Sequence, residues 1–400
     1  MNILMVANFV TFPWEGGNSR FTYILDKIDY EMNKVELITS KFRHETKSNR
    51  ILPQKFQKLP YKITLLDEPG YCKNISLKRF FSHYKLSKEL EKYLDKLEYN
   101  PDVIYCSVPS IDVAKIVTKY AKKQKIRLVI DIQDLWPEAF SMILNIPIVN
   151  KIIFYPIIKQ ANFIYSNADA IIAVSDAYVN RALSVNKKCN KGLSVFLGTD
   201  LKYFDECREN DFTKYNDDMI RIVYIGTLGT SYDIKSIIDA IKLLNIKGYN
   251  NIKFVIMGDG PLQKKFKRYA EEQKINFEFT GRLAYKEMVK KLCSCDIAVN
   301  PIISKSVASI INKVGDYAAA GLPVINTQNN YEYRELLKEY DAGINCENGN
   351  IQDISNKIEL LILDDEKRKK LGGNNRKLAE EKFDREKTYN KIVDLIQGVK

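Results

Sequence analysis

Short apolar runs alternate along the chain with longer stretches whose apolar residues recur at helical spacing, and most of the runs end at polar or glycine-containing turns. Runs of this length, rich in β-branched residues, are typical of buried strands. In the first half they predict strands at residues 2–8, 34–39, 102–106, 127–132 and 170–174. Regular alternation of strands and helices predicts an α/β domain in which helices cover both faces of a parallel sheet.

The pattern restarts after a charged segment with few apolar residues, 202–218, which is typical of a linker. Further strands are predicted at 221–225, 252–257, 277–280 and 297–300, each followed by a glycine or proline turn. We therefore expect two Rossmann-like, doubly wound parallel-sheet domains that face a central cleft. Their predicted bounds are 1–200 and 220–385, with a linker at 201–219 and a C-terminal helix at 386–400 that could pack back toward the N-terminal domain.

Residues 312–326 combine a polar start, one helical turn that carries an acid, and a strand. Gly321 supplies the left-handed conformation that ends a helix, and Pro323 prevents its continuation. Asn312 is predicted to cap this helix, whose free N–H groups would then face an anion such as a phosphate. Asp316 lies about one turn further in, where a carboxylate can accept hydrogen bonds from sugar or ribose hydroxyls. The alternative is a capped helix that packs on the sheet without a ligand.

The 400-residue chain carries a formal net charge of +12, which favours an anionic partner: nucleic acid, a phosphorylated substrate or an acidic membrane surface. Charge alone does not choose among these partners. The seven cysteines include no C-x-x-C pair, so neither a zinc site nor a disulfide framework is expected, and a reducing cytoplasm fits. The opening residues lack the features of a signal peptide, and no run of ~18 apolar residues predicts a membrane-spanning helix.

A basic stretch, residues 73–92, places lysines and an arginine among apolar residues at helical spacing. Such a helix can lie on an anionic bilayer surface, which predicts a cytoplasmic protein with a peripheral contact on the inner face of the cytoplasmic membrane. The alternative is an ordinary amphipathic helix with a solvated face.

Three polar residues in the first half are candidates for catalysis: Asp134, Asp131 and His44. Asp131 lies within the apolar run 127–132, where an aspartate costs desolvation energy unless a partner compensates it. Asp134 follows that run and His44 follows the run 34–39, so both come after the carboxyl end of a predicted strand, where α/β sites collect. For a histidine, a structural role is the alternative.

Phosphate-binding motifs of the P-loop and dinucleotide types follow none of the predicted strands, which argues against a P-loop ATPase and a dehydrogenase. The sequence also contains no D-x-D pair, so a metal-bridged diphosphate site is not expected. Phosphate charge would instead be neutralised by lysines, arginines and helix N-termini.

Several motifs together resemble the glycosyltransferases of family 4. They are GGNSRF, YIGTLGTSYD, MGDGPL, FTGRLAYKEM, DIAVNP and NKVGDYAAAGLPVIN, and the similarity extends over essentially the whole chain. DLWPE and FRHETK further resemble members that build bacterial capsule, O-antigen or exopolysaccharide repeat units. The resemblance implies a GT-B fold and retaining transfer of a hexose or N-acetylhexosamine from a UDP- or GDP-sugar, with no metal and no other cofactor. The implied acceptor is a sugar or a polyprenyl-pyrophosphate-linked sugar.

The resemblance also implies roles for individual residues. Asp316 matches the second acid of the family's E-x7-E motif, which holds the donor ribose, whereas the position of the first acid is occupied by Ala308. Lys313 and Arg282 are implied to neutralise the diphosphate, and Gly17 resembles a glycine whose backbone approaches the leaving phosphate. The full set of implied donor-binding residues is Gly17, Asn18, Gly226, Thr227, Gly258, Arg282, Asn312, Lys313 and Asp316.

Two other functions stay open at this point. A UDP-sugar epimerase of the non-hydrolysing type would have the same two-domain architecture. A basic nucleic-acid-binding protein is also compatible with the charge, although the lysines and arginines are spread over the chain and do not cluster with aromatic residues on one domain.

Overall fold

The computed structural model describes residues 1–16, 19–51, 53, 58–74, 76–136, 138, 147–209, 217–303 and 310–398. The chain forms two compact units, Met1–Val195 together with Tyr389–Lys400, and Phe196–Thr388. Each unit is an α/β domain built around one large parallel sheet. The two-domain parallel-sheet architecture predicted from the alternating pattern is therefore confirmed.

The large sheet of the first unit has seven strands, all parallel to their neighbours. The strands are β1 Asn2–Val6, β2 Lys34–Ser40, β5 Lys62–Leu66, β6 Val103–Val108, β7 Arg127–Ile132, β8 Ala170–Ala173 and β9 Leu193–Ser194, and a separate antiparallel hairpin consists of β3 Phe42–Arg43 and β4 Ser48–Asn49. Their order across the sheet is β5-β2-β1-β6-β7-β8-β9. The central strands are buried on both faces, which explains why their sequences are continuous apolar runs.

The structure describes six α-helices in the first unit. They are α1 Arg20–Asp26, α2 Leu77–Asp95, α3 Ile111–Gln124, α4 Pro147–Asn167, α5 Asp176–Leu183 and α15 Asn390–Gln397. Although it comes last in the chain, α15 belongs to this unit because Ile392, Val393 and Ile396 are buried in the same apolar core as β1. Among the described helices of the whole chain, none combines the length and apolar character that crossing a bilayer requires.

The second unit repeats the design with a six-stranded parallel sheet. Its strands are β10 Ile220–Ile225, β11 Ile252–Met257, β12 Phe277–Gly281, β13 Ile297–Asn300, β14 Val324–Asn326 and β15 Gly343–Asn345. Its helices are α6 Leu201–Glu209, α7 Ile234–Ile246, α8 Gln263–Gln273, α9 Tyr285–Cys293, α10 Lys313–Ala319, α11 Tyr331–Glu339, α12 Ile351–Leu363, α13 Asp365–Leu378 and α14 Arg385–Thr388. The strand order is β12-β11-β10-β13-β14-β15.

The segment expected to be a linker differs from the prediction. Its first part forms α6, and Leu201, Phe204 and Cys207 on this helix are buried in the core of the second unit. These three residues recur every third position, so they share one face of a short helix. The surrounding charged residues lower the apolar content of the segment and conceal this spacing.

In each unit the strand order reverses at one point, between β1 and β6 in the first sheet and between β10 and β13 in the second. Ligands of open parallel sheets bind at the carboxyl ends of the strands beside such a reversal, because the loops diverge there and leave a crevice. The fold therefore indicates two places, one in each unit, where a ligand is expected.

Candidate functional site

The start of α10 is anchored at the reversal point of the second sheet by a buried tyrosine. The backbone N–H of Ile225, at the end of β10, donates to the Tyr317 hydroxyl oxygen (2.9 Å). The same hydroxyl donates to the carbonyl oxygen of Val299 on β13 (3.2 Å). Because Tyr317 bridges the two strands that flank the reversal, α10 is held at the edge where a ligand is expected. Gly321, with φ of +68°, ends the helix as predicted.

Lys313, the first residue of α10, is a buried basic side chain. Its side chain is only 8% exposed, and its Nζ has no hydrogen-bond partner among the described residues. The ammonium instead stands 4.0 Å from the ring centre of Tyr224 and 4.3 Å from that of Tyr232. Burial lowers the pKa of Lys313 well below its usual range. A buried donor without an acceptor is costly, so this arrangement is suited to an anionic ligand.

Two glycine turns border Lys313. A side chain at Gly258 would place its Cβ 1.8 Å from the carbonyl oxygen of Gly226, so the backbones of the two turns are in direct contact. Gly226 in turn lies next to the lysine, since a Cβ there would be 3.7 Å from Lys313 Cδ. Thr227 is held beside them, because the Tyr224 hydroxyl donates to its carbonyl oxygen (2.7 Å). The structure thus brings together Gly226, Thr227, Gly258 and Lys313 at one edge of the sheet.

Asp316 lies one turn further along α10 and is partly occupied by protein contacts. Its Oδ1 accepts hydrogen bonds from the hydroxyls of Tyr285 (3.0 Å) and Thr199 (3.1 Å). Its Oδ2 accepts none from the residues that the structure describes. Burial raises the pKa of Asp316, and the two hydroxyl donors oppose that change. The carboxylate is therefore fixed in orientation with one oxygen left as an acceptor.

The other two candidates of this unit, Asn312 and Arg282, are exposed. Asn312 is exposed and has helical backbone angles, and its side chain does not cap α10. The predicted cap is therefore wrong, because a capping residue needs extended backbone geometry for its side chain to reach back. Arg282 is exposed after the turn at Gly281. Gly17, Asn18 and Ala308 lie outside the described residues.

In the first unit, Asp131 is completely buried and engaged by other side chains. Its carboxylate accepts hydrogen bonds from Arg20 Nε (2.6 Å) and Nη2 (3.2 Å), and a further one from the Tyr105 hydroxyl. Arg20 also donates to the carbonyl oxygen of Val195 (2.9 Å). This ion pair compensates the desolvation of the aspartate and ties α1 to the sheet.

Asp134 and His44 are more accessible than Asp131. Asp134 Oδ2 accepts a hydrogen bond from Trp136 Nε1 (3.2 Å), and burial raises the pKa of this carboxyl. His44 Nδ1 lies 2.6 Å from the Tyr71 hydroxyl. Burial, together with the charges of Lys47 and Arg79, lowers the pKa of His44 to about 4. His44 is consequently neutral at physiological pH.

Several contacts of the candidate residues were not predicted. Tyr224 and Tyr232 around Lys313 belong to the motif YIGTLGTSYD, Tyr285 at Asp316 belongs to FTGRLAYKEM, and Arg20 belongs to GGNSRF. These motifs were the available signal, but they do not show which side chains meet. Thr199, the other partner of Asp316, lies outside them. Within the described ranges, no group of three or more histidine, cysteine or acidic residues is arranged to hold a metal ion.

Residues 208–378 match the family model for glycosyl transferases group 1. The matched range lies within the second unit. The match includes β10 to β15 and α10, and hence both glycine turns, Lys313 and Asp316.

Two curated proteins and a solved structure are similar to larger parts of the chain. The chain is 21% identical over 316 residues to putative glycosyltransferase EpsD of Bacillus subtilis (strain 168), covering 77% of this chain and 79% of that protein. It is 27% identical over 224 residues to uncharacterized glycosyltransferase MJ1178 of Methanocaldococcus jannaschii, covering 56% of this chain and 57% of that protein. HepE of Anabaena, solved in complex with UDP, aligns over 100% of both chains with a TM-score of 0.69 and 15% identity. At that identity the likeness concerns the fold, and it confirms the GT-B architecture.

Proposed function

We propose that the chain is a retaining glycosyltransferase that moves a sugar from a nucleotide diphosphate donor to a sugar or lipid-linked sugar acceptor in bacterial surface polysaccharide synthesis. The observation that carries the proposal is Lys313, a buried cation without a hydrogen-bond partner among the described residues, beside two touching glycine turns. The matched domain and the glycosyltransferase names of both curated relatives support it.

Each residue at the start of α10 then has a role toward the donor. When the nucleoside diphosphate leaves, negative charge grows on its β-phosphate, and Lys313 supplies the hydrogen-bond donor that stabilises this charge. Gly226, Thr227 and Gly258 leave room for the phosphates to approach the backbone. Asp316 accepts a ribose hydroxyl through its unoccupied Oδ2, and exposed Arg282 adds a second cation.

UDP is the nucleotide that we favour, because HepE was solved with UDP and with UDP-glucose. Binding is tested with a thermal-shift panel of UDP, GDP and their sugars on the full chain, since a ligand of the folded state raises the melting temperature. We expect UDP or a UDP-sugar to give the largest rise. If none of these compounds changes the melting temperature at millimolar concentration, a donor site in this unit is excluded.

The first unit would act on the acceptor. Asp134, whose pKa is raised by burial, is the candidate for receiving the proton of the acceptor hydroxyl. Asp131 is enclosed by Arg20 and Tyr105, so we assign it to positioning β7 and the loop that carries Asp134. Asp134→Asn should lower kcat with little change in the affinity for UDP; an unchanged kcat would remove Asp134 from the reaction.

Product analysis separates transfer from the alternatives. A retaining transfer keeps the anomeric configuration of the donor sugar in the product, and NMR of the glycoside measures that configuration. Metal-independent transfer predicts an unchanged turnover rate in excess EDTA. Formation of an epimeric UDP-sugar without any acceptor would instead favour the epimerase. A nucleic-acid-binding protein would bind oligonucleotides tightly on filters, with an affinity that falls steeply with salt.

Helix α2 suits a peripheral membrane contact. Leu77 and Phe81 on this helix are 87% and 55% exposed, and Tyr84 is exposed on the following turn. The exposed lysines Lys78 and Lys85 next to these positions, together with the net charge of +12, favour an anionic lipid surface. Co-sedimentation with phosphatidylglycerol vesicles at low salt should retain the protein, and Leu77→Ser with Phe81→Ser should release it. A wild-type protein that stays in the supernatant would contradict membrane contact.

A further inference from the structure

Both histidines of the chain lie in one cluster of aromatic and cationic side chains in the first unit. Its members follow the carboxyl ends of β1, β2, β5 and β7 or lie on the first turns of α2. Ring centres are 5.0 Å apart for Phe9 and His44, and 5.9 Å apart for the stacked pair of His83 and Trp136. We call this the His44 cluster; it consists of Phe9, His44, Lys47, Tyr71, Arg79, His83 and Trp136.

The hydrogen bonds of His44 determine which of its ring nitrogens carries the proton. Lys47 Nζ lies 3.3 Å from His44 Nδ1, and an ammonium group can only donate. The Tyr71 hydroxyl, which can donate or accept, lies 2.6 Å from the same nitrogen. Nδ1 is therefore an acceptor. Because the ring is neutral, its single proton is on Nε2, and His44 presents an N–H donor instead of a base.

The two cations of the cluster are not neutralised by ion pairs. In the described part of the chain, neither Lys47 nor Arg79 has a carboxylate oxygen within 4.0 Å. Lys47 donates to the carbonyl oxygen of His44 and to Asn74 Oδ1, both at 2.5 Å. Asp134 and Glu68 act on Arg79 only from further away, and burial raises the pKa of both acids. Burying excess positive charge among aromatic rings costs desolvation free energy unless an anion compensates the charge.

Unused hydrogen-bonding groups surround these cations. Arg79 Nε and His83 Nε2 are buried and have no partner among the residues described. Asn8, which follows β1 at the reversal point of the sheet, is only 4% exposed, and the structure shows no described partner for either atom of its amide. Arg79 lies over the ring of Trp136 at 4.7 Å and over that of Phe9 at 5.6 Å, so its guanidinium stays fixed beside them.

We propose that the His44 cluster binds a phosphate group of the acceptor, with His44 Nε2–H, Arg79 and Lys47 as its donors and cations. This inference rests on the proposed glycosyltransferase function and specifies the acceptor class. A neutral sugar could stack on Phe9 or Trp136, but it would leave both positive charges and the Nε2–H donor uncompensated. A phosphate supplies negative charge and several acceptor oxygens at once. The same chemistry could belong to a lipid-linked pyrophosphate or to a soluble sugar phosphate.

Imidazole NMR tests the binding directly with inorganic pyrophosphate as the probe. The chain has only two histidines, so 15N-histidine labelling gives two sets of ring signals, and His44→Gln identifies the set of His44. We expect the Nε2–H tautomer in the free protein and a shift of the His44 signals on addition of pyrophosphate. Arg79→Gln should weaken this response at least tenfold. Lys122→Gln, which removes an exposed lysine of α3 in the same unit, should leave it unchanged. An Nδ1–H tautomer, or His44 signals that do not respond to millimolar pyrophosphate, would overturn the proposal.

Acceptor kinetics distinguish the two sources of the phosphate. The three acceptors are a neutral alkyl glycoside, a sugar 1-phosphate, and a sugar joined through pyrophosphate to a short alkyl chain. Arg79→Gln should raise KM for the phosphorylated acceptors at least tenfold, leave KM for UDP-sugar unchanged, and be partly rescued in Arg79→Lys. Preference for the alkyl pyrophosphate identifies a lipid carrier, whereas equal use of the sugar 1-phosphate identifies a soluble substrate. Equal KM values for all three acceptors in the wild type, with donor hydrolysis intact, would refute the phosphate site while leaving the glycosyltransferase function standing.

Discussion

Replacing Lys313 by methionine should change stability and donor affinity in opposite directions. The substitution keeps the length of the side chain and removes an amine that is buried without a partner among the described residues. Burial lowers the pKa of Lys313, because loss of hydration disfavours its charged form, and the rings of Tyr224 and Tyr232 offset part of this loss. Since an unsatisfied buried polar group costs ~1–3 kcal/mol and ring contacts offset part of this, we expect Lys313→Met to raise the free energy of unfolding by ~1 kcal/mol.

The same substitution removes a charge-assisted hydrogen bond to the donor. Such bonds contribute ~1.5–3 kcal/mol, so the dissociation constant for UDP should rise by about 10- to 150-fold. Calorimetric titration measures the affinity, and thermal unfolding of the free protein measures the stability. Lys264→Met, at an exposed lysine of α8, should alter neither quantity appreciably. A Lys313→Met protein that binds UDP as tightly as the wild type, or that melts at a lower temperature, would refute this account of the lysine.

The stability gain should also depend on pH. The pKa of Lys313 is lower in the folded state than in the unfolded chain, so the unfolded state binds more protons over the range between the two values. The wild type must therefore become more stable as pH rises through this range. The difference in unfolding free energy between Lys313→Met and the wild type should shrink between neutral pH and the usual titration range of lysine. A difference that is constant over this range would show that Lys313 titrates normally.

Four further outcomes follow from individual contacts. Asp316→Asn should weaken UDP binding without lowering the melting temperature, because burial raises the pKa of this carboxyl and so disfavours its charge; a clear loss of stability would contradict this. Asp131→Asn should destabilise the first unit by ~3–5 kcal/mol in denaturant unfolding, since it leaves Arg20 buried without its counter-charge, and a loss under ~1 kcal/mol would argue against the pair. His44, whose pKa is about 4, should show no change of its ring 15N shifts between pH 8 and about pH 5.5, whereas an exposed histidine titrates in this range. Gly258→Ala should abolish donor binding or folding, because its Cβ would lie 1.8 Å from the carbonyl oxygen of Gly226; normal UDP affinity would show that the turns can separate.

Most strands of the two large sheets were predictable because their signals are local, although β5 and β15 were not predicted. The run RLVIDI, for example, was predicted as a strand over 127–132, and β7 has these bounds. Apolar runs identify buried strands wherever both faces of a sheet are covered, and glycine and proline mark where the strands end. The prediction failed at 201–209, where three apolar residues among charged ones form one helical face. The order of strands within each sheet was not predicted at all, since it depends on which strands pair.

At the candidate sites, sequence patterns identified residues but not their partners. The pattern around α10 singled out Asp316, because a polar start, a helical turn with an acid and a terminating glycine form a recognisable unit, and the family resemblance implied Lys313. The partners come from distant segments: Thr199 is 117 positions from Asp316, and Arg20 is 111 positions from Asp131. No periodicity relates such positions. Only the pairing of strands and the packing of helices on the sheet bring these side chains within hydrogen-bonding distance, and that proximity decides which charges are satisfied and which are left for a ligand.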